Sequence, residues 1–194
     1  IPFATKIISL PDVGDFVSDC NILSFLYPVE PLIHKNPLKK QERKKLVIAH
    51  LPSNPKIKGT KLIKPVLQRI NMEYPEVEII IKESYWERDK IIKTLKKTHI
   101  LVESLTGMTY GAIGAEAMSA GCVVMSSYPE FISNQFDYHA VVRITSENLY
   151  DVLRRFIEDR TLLKKQAEKS LKFYKKYHSN EAMGNYYKRE LNLN

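Results

Sequence analysis

Short apolar runs punctuate the chain at Leu46 to His50, Val77 to Ile81, Ile100 to Val102, Cys122 to Ser126 and Ala140 to Ile144. Runs of this length with little alternation predict strands covered on both faces. Between them the period switches to that of a helix: Leu62, Ile63, Val66, Leu67 and Ile70 share one face, and Ile91, Ile92 and Leu95 the next. Pro65 lies inside the first of these patterns, which predicts a kink, or regular hydrogen bonding only in later residues. After Ile144 the pattern is wholly helical. Ser146 is the expected N-cap, followed by Leu149, Val152, Leu153 and Phe156 and then by Leu163, Ala167, Leu171 and Tyr174 at helical spacing. Strand and helix in alternation predict an α/β fold: a doubly wound parallel sheet with C-terminal helices.

Residues 1–45 have a different texture. They hold Pro2, Pro11, Pro28, Pro31 and Pro37 and end in the charged run Lys39 to Lys45, so they read as a linker or interdomain segment with short strands before a domain at 46–194. A chain of 194 residues, 44% hydrophobic and 27% charged, can bury one substantial core. Ala112 to Met125 is too short to span a bilayer and contains Glu116. The start at Ile1, with no basic leader or cleavage site, predicts an internal fragment. Cys20 and Cys122 form no disulfide framework or metal-ligand pattern, which fits a reducing cytoplasm.

The net charge of +8 concentrates at Lys35 to Lys45 and Arg160 to Lys176. A solvated helix face is the simpler reading of the second segment and a membrane-surface patch the alternative, which would place the protein at the inner face of the membrane. Nucleic acid is not expected as a partner, because no helix-turn-helix, zinc-finger or stacked-aromatic signature accompanies the charge.

In an open parallel sheet, ligands bind beyond the carboxyl ends of the strands. Two segments there stand out. The loop His50 to Thr60 ends in Lys58-Gly59-Thr60, where a lysine, a flexible glycine and free backbone N–H groups at a helix entrance suit a phosphate. A solvated lysine beside a helix cap is the other reading. The sequence is not a Walker A loop and contains no Gly-x-Gly-x-x-Gly fingerprint. The second segment, Thr106 to Gly121, predicts a helix of small residues from Thr109 onward, with Glu116 as its one charge. Thr109, Ala112 and Glu116 fall near one face. A buried lone carboxylate needs a partner, and a pair of ligand hydroxyls would serve; pairing with a nearby lysine, or solvent, is the alternative. Tyr85 and Trp86 would flank a nucleobase or simply pack a loop.

His50-Leu51-Pro52-Ser53-Asn54 through Lys58-Gly59-Thr60, then Tyr110-Gly111 and Glu116-Ala117-Met118-Ser119-Ala120-Gly121 before Cys122-Val123-Val124, together resemble the glycosyltransferase group 1 family. These are glycogen-synthase-like retaining enzymes of the GT-B fold. The resemblance runs from Leu46 to Arg189 and includes His178-Ser179. It implies a Rossmann-like C-terminal donor-binding domain, one half of a GT-B fold, with the acceptor-binding half elsewhere. It implies that Lys58 contacts the diphosphate, that Tyr110-Gly111 offers backbone N–H groups, and that Glu116 holds the ribose hydroxyls. Lys58 and Glu116 are thereby the catalytic candidates, and Ser53, Asn54, Gly59, Thr60, Tyr110, Gly111 and Ala112 the binding candidates. No metal or cofactor is implied. The donor would be a UDP- or GDP-sugar, the acceptor a glycan or lipid-linked sugar, and the transfer retaining. The chain departs from the family pattern at Met108, where a sugar-contacting glutamate is usual, and in its first loop, which lacks an arginine. A non-catalytic nucleotide-sugar-binding or scaffold module is therefore the second reading, and a GT-B-fold nucleotide-sugar epimerase the third.

Overall fold

The computed structural model describes residues 6–9, 21–24, 27–33, 35–106, 110–129, 136 and 139–192. Near the start, β1 (Lys6–Ser9) and β2 (Asn21–Ser24) form a separate parallel pair. The main unit then alternates β3 (Leu46–His50), α1 (Thr60–Glu73), β4 (Val77–Ile81), α2 (Arg88–Lys97), β5 (Ile100–Ser104), α3 (Ala112–Ser119), β6 (Val123–Ser126) and β7 (Val142–Arg143). It closes with α4 (Leu149–Glu158), α5 (Arg160–Tyr177) and α6 (Asn180–Leu191). β3 and β4 match the apolar runs residue for residue, and β5 extends two residues beyond its run. β6 begins one residue later than expected, and the run at 140–144 contributes only the short edge strand β7.

Every pairing in the five-stranded sheet is parallel, in the order β4-β3-β5-β6-β7. The chain winds outward from β3 to β4, returns to β5, and then winds the other way through β6 to β7. The switch point therefore lies between β3 and β5, which is where the ligand crevice of such sheets is found. The loops following these two strands touch there, the Leu105 N–H donating to the Lys58 carbonyl at 3.2 Å and the Thr106 hydroxyl to the Ile57 carbonyl at 2.6 Å.

Strand residues alternate between two cores, as the two-residue period requires. Ile48, Ile100, Val102, Val123 and Met125 face Ile63, Leu67 and Ile70 of α1 and Leu149, Leu153 and Phe156 of α4. Ala49, Leu101 and Val124 face Met118 of α3 and Phe173 of α5. β4 is the exception to burial on both faces: as an edge strand it buries only Val77.

Three local expectations are corrected. α1 passes through Pro65 unbroken, and its first turn is already bonded, with the Ile63 N–H donating to the Gly59 carbonyl at 3.1 Å. Leu62, on the expected buried face, is 48% exposed. Ser146 does not cap α4, since its hydroxyl turns to Glu147. Asn148 holds that position, and its Oδ1 accepts from the Thr145 N–H at 2.8 Å.

Residues 27–42 are tied onto the main unit. Val29 N–H donates to the His178 carbonyl, and the Lys40 ammonium, 4% exposed, donates to the Leu95 carbonyl at 3.2 Å and Cys122 Sγ at 3.1 Å. Gly121 sits at φ +75°, and a Cβ there would lie 2.6 Å from the Pro37 carbonyl oxygen, so close approach as well as backbone angle requires glycine. The basic run at 39–45 is thus partly interior. On α5, by contrast, Lys164, Lys165, Lys169, Lys172, Lys175 and Lys176 form an exposed outer face. Cys122 is buried and keeps its proton, since burial pushes its thiol pKa up; Cys20 lies outside the described residues.

Candidate functional site

The loop leaving β3 is folded on itself. Asn54 Oδ1 accepts from the N–H groups of Lys56 and Ile57, and the N–H groups of Lys58, Gly59 and Thr60 donate to the carbonyls of Asn54, Lys56 and Pro55. The amides of Lys58, Gly59 and Thr60, expected to be free at this helix entrance, are therefore already used. Thr60 is likewise turned inward. The fully buried His50 ring lies 2.7 Å from the Val102 carbonyl and 2.8 Å from Thr60 Oγ1. The carbonyl can only accept, so Nδ1 carries the proton and Nε2 accepts from the threonine hydroxyl. Burial lowers the histidine pKa and keeps the ring neutral. Gly59, at φ +71°, abuts the next loop: its Cβ would stand 3.2 Å from Leu105 Cβ and from Thr106 Cγ2. Ser53 is exposed on the same loop.

Lys58 reaches across the switch point to Glu103, the penultimate residue of β5, and forms an ion pair with Oε1. The register of β5 against β6 runs from Val102↔Met125 to Ser104↔Ser126, so Glu103 is the extra residue of a bulge. Bulges re-aim side chains. The same Oε1 accepts from the Gly111 N–H at 3.3 Å, and the Ser126 hydroxyl lies 3.3 Å from Oε2. Glu103 is 3% exposed and is the central acceptor of the site. Sequence reasoning missed it. The signal was available, because Glu103 is a lone carboxylate against an apolar strand run, the same argument that singled out Glu116.

α3 begins at Ala112 rather than Thr109, with Gly111 as an extended N-cap. The amides of Ala112 and Ile113 have no partner among the described residues, and Ala112 is exposed, so this helix presents the free N-terminus of the site. Tyr110 does not point into the crevice. Its side chain is 3% exposed and its hydroxyl lies 2.9 Å from His178 Nε2, leaving only its backbone for a ligand. Gly114 permits this, since a Cβ there would be 3.1 Å from the Tyr110 ring. Thr109 and Met108 lie outside the described residues.

Glu116, 9% exposed, is paired with neither a lysine nor solvent but with Arg88. The guanidinium donates through both terminal nitrogens, Nη1 to Oε2 at 2.8 Å and Nη2 to Oε1. Arg88 opens α2, where the helix dipole disfavours a cation, so its place is explained by Glu116. Sequence spacing offered no signal for this pair, whose partners stand on different helices. Tyr85 is 79% exposed, while Trp86 packs against the core with the Lys90 ammonium 3.9 Å above its ring. Among the described residues no cluster of three or more His, Cys, Asp or Glu could hold a metal ion, and no helix is long and apolar enough to cross a membrane.

No protein-family profile matches the sequence, and no curated protein does. Solved structures do match in fold. The C-terminal domain of LpcC, a glycosyl transferase group 1 family protein from Francisella tularensis, is 18% identical with a TM-score of 0.55, covering 78% of this chain and 95% of that one. TarM is 16% identical with a TM-score of 0.67 over 97% of this chain, and the pneumococcal O-GlcNAc transferase GtfA, solved with UDP and GlcNAc, is 13% identical with a TM-score of 0.61 over 97%. The chain spans 42% of TarM and 45% of GtfA. A structure from Listeria monocytogenes described as a UDP-N-acetylglucosamine 2-epimerase shares the architecture at 12% identity and a TM-score of 0.51, covering 72% of this chain and 44% of that one. With its five-stranded parallel sheet, its switch point between β3 and β5 and its three C-terminal helices, the chain has the fold of the C-terminal domain of group 1 glycosyltransferases of the GT-B type.

Proposed function

We propose that residues 46–194 bind a nucleoside-diphosphate sugar in the crevice between the loops after β3 and β5. The observation that carries this reading is convergence. Lys58 from one loop, the Gly111 amide from the next and the open N-terminus of α3 meet at the switch point. A cation and a helix N-terminus together suit a diphosphate without a metal. Glu116, one turn further along α3, is placed to take the ribose hydroxyls, exchanging the Arg88 guanidinium for them.

In the complete protein, a second domain brings a glycan or lipid-linked acceptor to this crevice, and the sugar is transferred with retention. Lys58 and the α3 amides stabilise the departing diphosphate. The lysines of α5 give the protein a peripheral contact with an anionic membrane at its cytoplasmic face. The test is to incubate the complete protein, in chelator, with labelled UDP- and GDP-hexoses and lipid-linked or glycan acceptors. Labelled product with the donor's anomeric configuration supports the reading, and its absence with every donor contradicts it.

A second reading has its own observation. Both cations of the site already hold a buried carboxylate, Lys58 with Glu103 and Arg88 with Glu116. A module that binds a nucleotide sugar without turning it over would tolerate that arrangement, and it would bind donor but release no sugar. An epimerase would instead convert the donor with no acceptor present.

A further inference from the structure

Glu103 occupies the position where an external anion would be expected. Its Oε1 accepts from the Lys58 ammonium and the Gly111 N–H, two of the donors that the proposed nucleotide-binding reading assigns to the diphosphate. The bulge in β5 turns it there, and at 3% exposure those partners, rather than water, are what it contacts. A Cβ added at Gly111 would lie 3.5 Å from Glu103 Oε1 and 3.7 Å from Lys58 Nζ, so the glycine brings backbone, carboxylate and ammonium into contact around one small space. A phosphate and this carboxylate cannot share the two donors without strong like-charge repulsion. We infer that the Glu103 carboxylate is an internal occupant of the phosphate cradle, and that a diphosphate enters by displacing it from Lys58 and Gly111. The inference rests on the nucleotide-binding reading of the crevice. After displacement the polar group left beside the carboxylate is the Ser126 hydroxyl, 3.3 Å from its other oxygen and 3.2 Å from the Ser127 carbonyl, so the ligand must also offset the cost of a less well paired buried carboxylate. Glu103 thereby sets a threshold: a ligand group must carry enough charge to outcompete a carboxylate, which favours a diphosphate over a neutral sugar or a single carboxylate.

The test uses inorganic pyrophosphate, which carries no ribose or base, titrated into the wild-type chain and into Glu103→Gln with circular dichroism as the control for folding. Glutamine keeps an acceptor oxygen for Lys58 and Gly111 but removes the charge, so pyrophosphate binding tightens by about tenfold or more. Equal or weaker binding in a folded Glu103→Gln overturns the inference. A measurement on the wild type covers the case in which that variant fails to fold. Saturating pyrophosphate shifts both the Glu103 carboxylate and the Gly111 amide resonances, and a carboxylate resonance that stays in place overturns the inference. Parallel titration with UDP and GDP separates the two claims. Nucleotide binding without the pyrophosphate gain removes the internal occupant alone, whereas failure of every nucleotide and of pyrophosphate removes both.

Discussion

Arg88, the first residue of α2, closes on Glu116 of α3 with both guanidinium nitrogens, Nη1 lying 2.8 Å from Oε2. The arginine side chain is 56% exposed and the carboxylate 11%, so water screens one partner and not the other. Such a pair contributes little to stability but orients a buried carboxylate. Glu116→Gln is accordingly expected to leave the fold and thermal midpoint nearly unchanged. It should weaken UDP or GDP binding by about 1.5–3 kcal/mol for each charge-assisted hydrogen bond lost, while pyrophosphate binding does not weaken. Calorimetric titration of both ligands checks this, and unchanged nucleotide affinity would return Glu116 to a purely structural role.

Lys58 and Glu103 behave differently because their pair is buried on both sides, at 16% and 1% side-chain exposure. Lys58→Met leaves Glu103 an uncompensated buried charge and should destabilise the fold by roughly 3–5 kcal/mol. Adding Glu103→Gln to that variant should restore much of the loss, a coupling that urea unfolding of the single and double variants measures. Additive losses would show that the two residues do not depend on each other.

Three histidines give the fold a pH dependence of known sign. Burial lowers the pKa of His99, His139 and His178 to about 4, below the ordinary 6.5. The unfolded chain therefore takes up protons first as pH falls. Stability contributed by the neutral rings is fully present above about pH 6.5 and is lost progressively toward pH 4. Each of the deepest rings can account for up to about 3 kcal/mol across that window. Unfolding free energies at about pH 7.5, 6 and 5 should decline in that order. A flat profile would mean that these rings titrate normally in the folded chain.

Much of the architecture was legible in the sequence because strands buried on both faces leave unbroken apolar runs. Leu46–His50, buried throughout, was readable to the residue, and Val77–Ile81 was so too, although it is an edge strand that contains Glu78 and buries only Val77. The 140–144 run was not, since only Val142 and Arg143 pair with β6, at the sheet edge where length is not dictated by burial. Lys58, Gly111 and Ala112, singled out from the loop-to-helix junctions and the resemblance, are candidate residues that the structure brings together. Glu103 was visible as a lone carboxylate beside an apolar run, but the direction in which it points is set by a bulge, a property of register between two strands and not of either strand alone. Arg88 was hidden because its partner is 28 residues away. The resemblance assigned Thr60 and Tyr110 to a ligand, Tyr110 through its backbone N–H; what the sequence did not disclose is that their hydroxyls are engaged by His50 and His178. Side-chain direction at a loop is decided by tertiary partners that no local pattern encodes.

Gly59 joins the two loops that make the crevice. Gly59→Ala should cost about 1–2 kcal/mol for the left-handed backbone alone. The close approach of Leu105 and Thr106 at 3.2 Å adds to it. Because the strain falls between the loops, nucleotide affinity should fall together with the thermal midpoint. A drop in stability with undiminished affinity would place the binding site elsewhere.

The central claim, that the crevice between the β3 and β5 loops takes a nucleoside diphosphate without metal, is tested most directly by calorimetric titration of the chain with UDP, GDP and ADP in excess chelator. Saturable one-to-one binding of at least one of the three, abolished or strongly weakened in Lys58→Ala, is the predicted result. No heat from any nucleotide in chelator, or binding of equal strength in a folded Lys58→Ala, would contradict it.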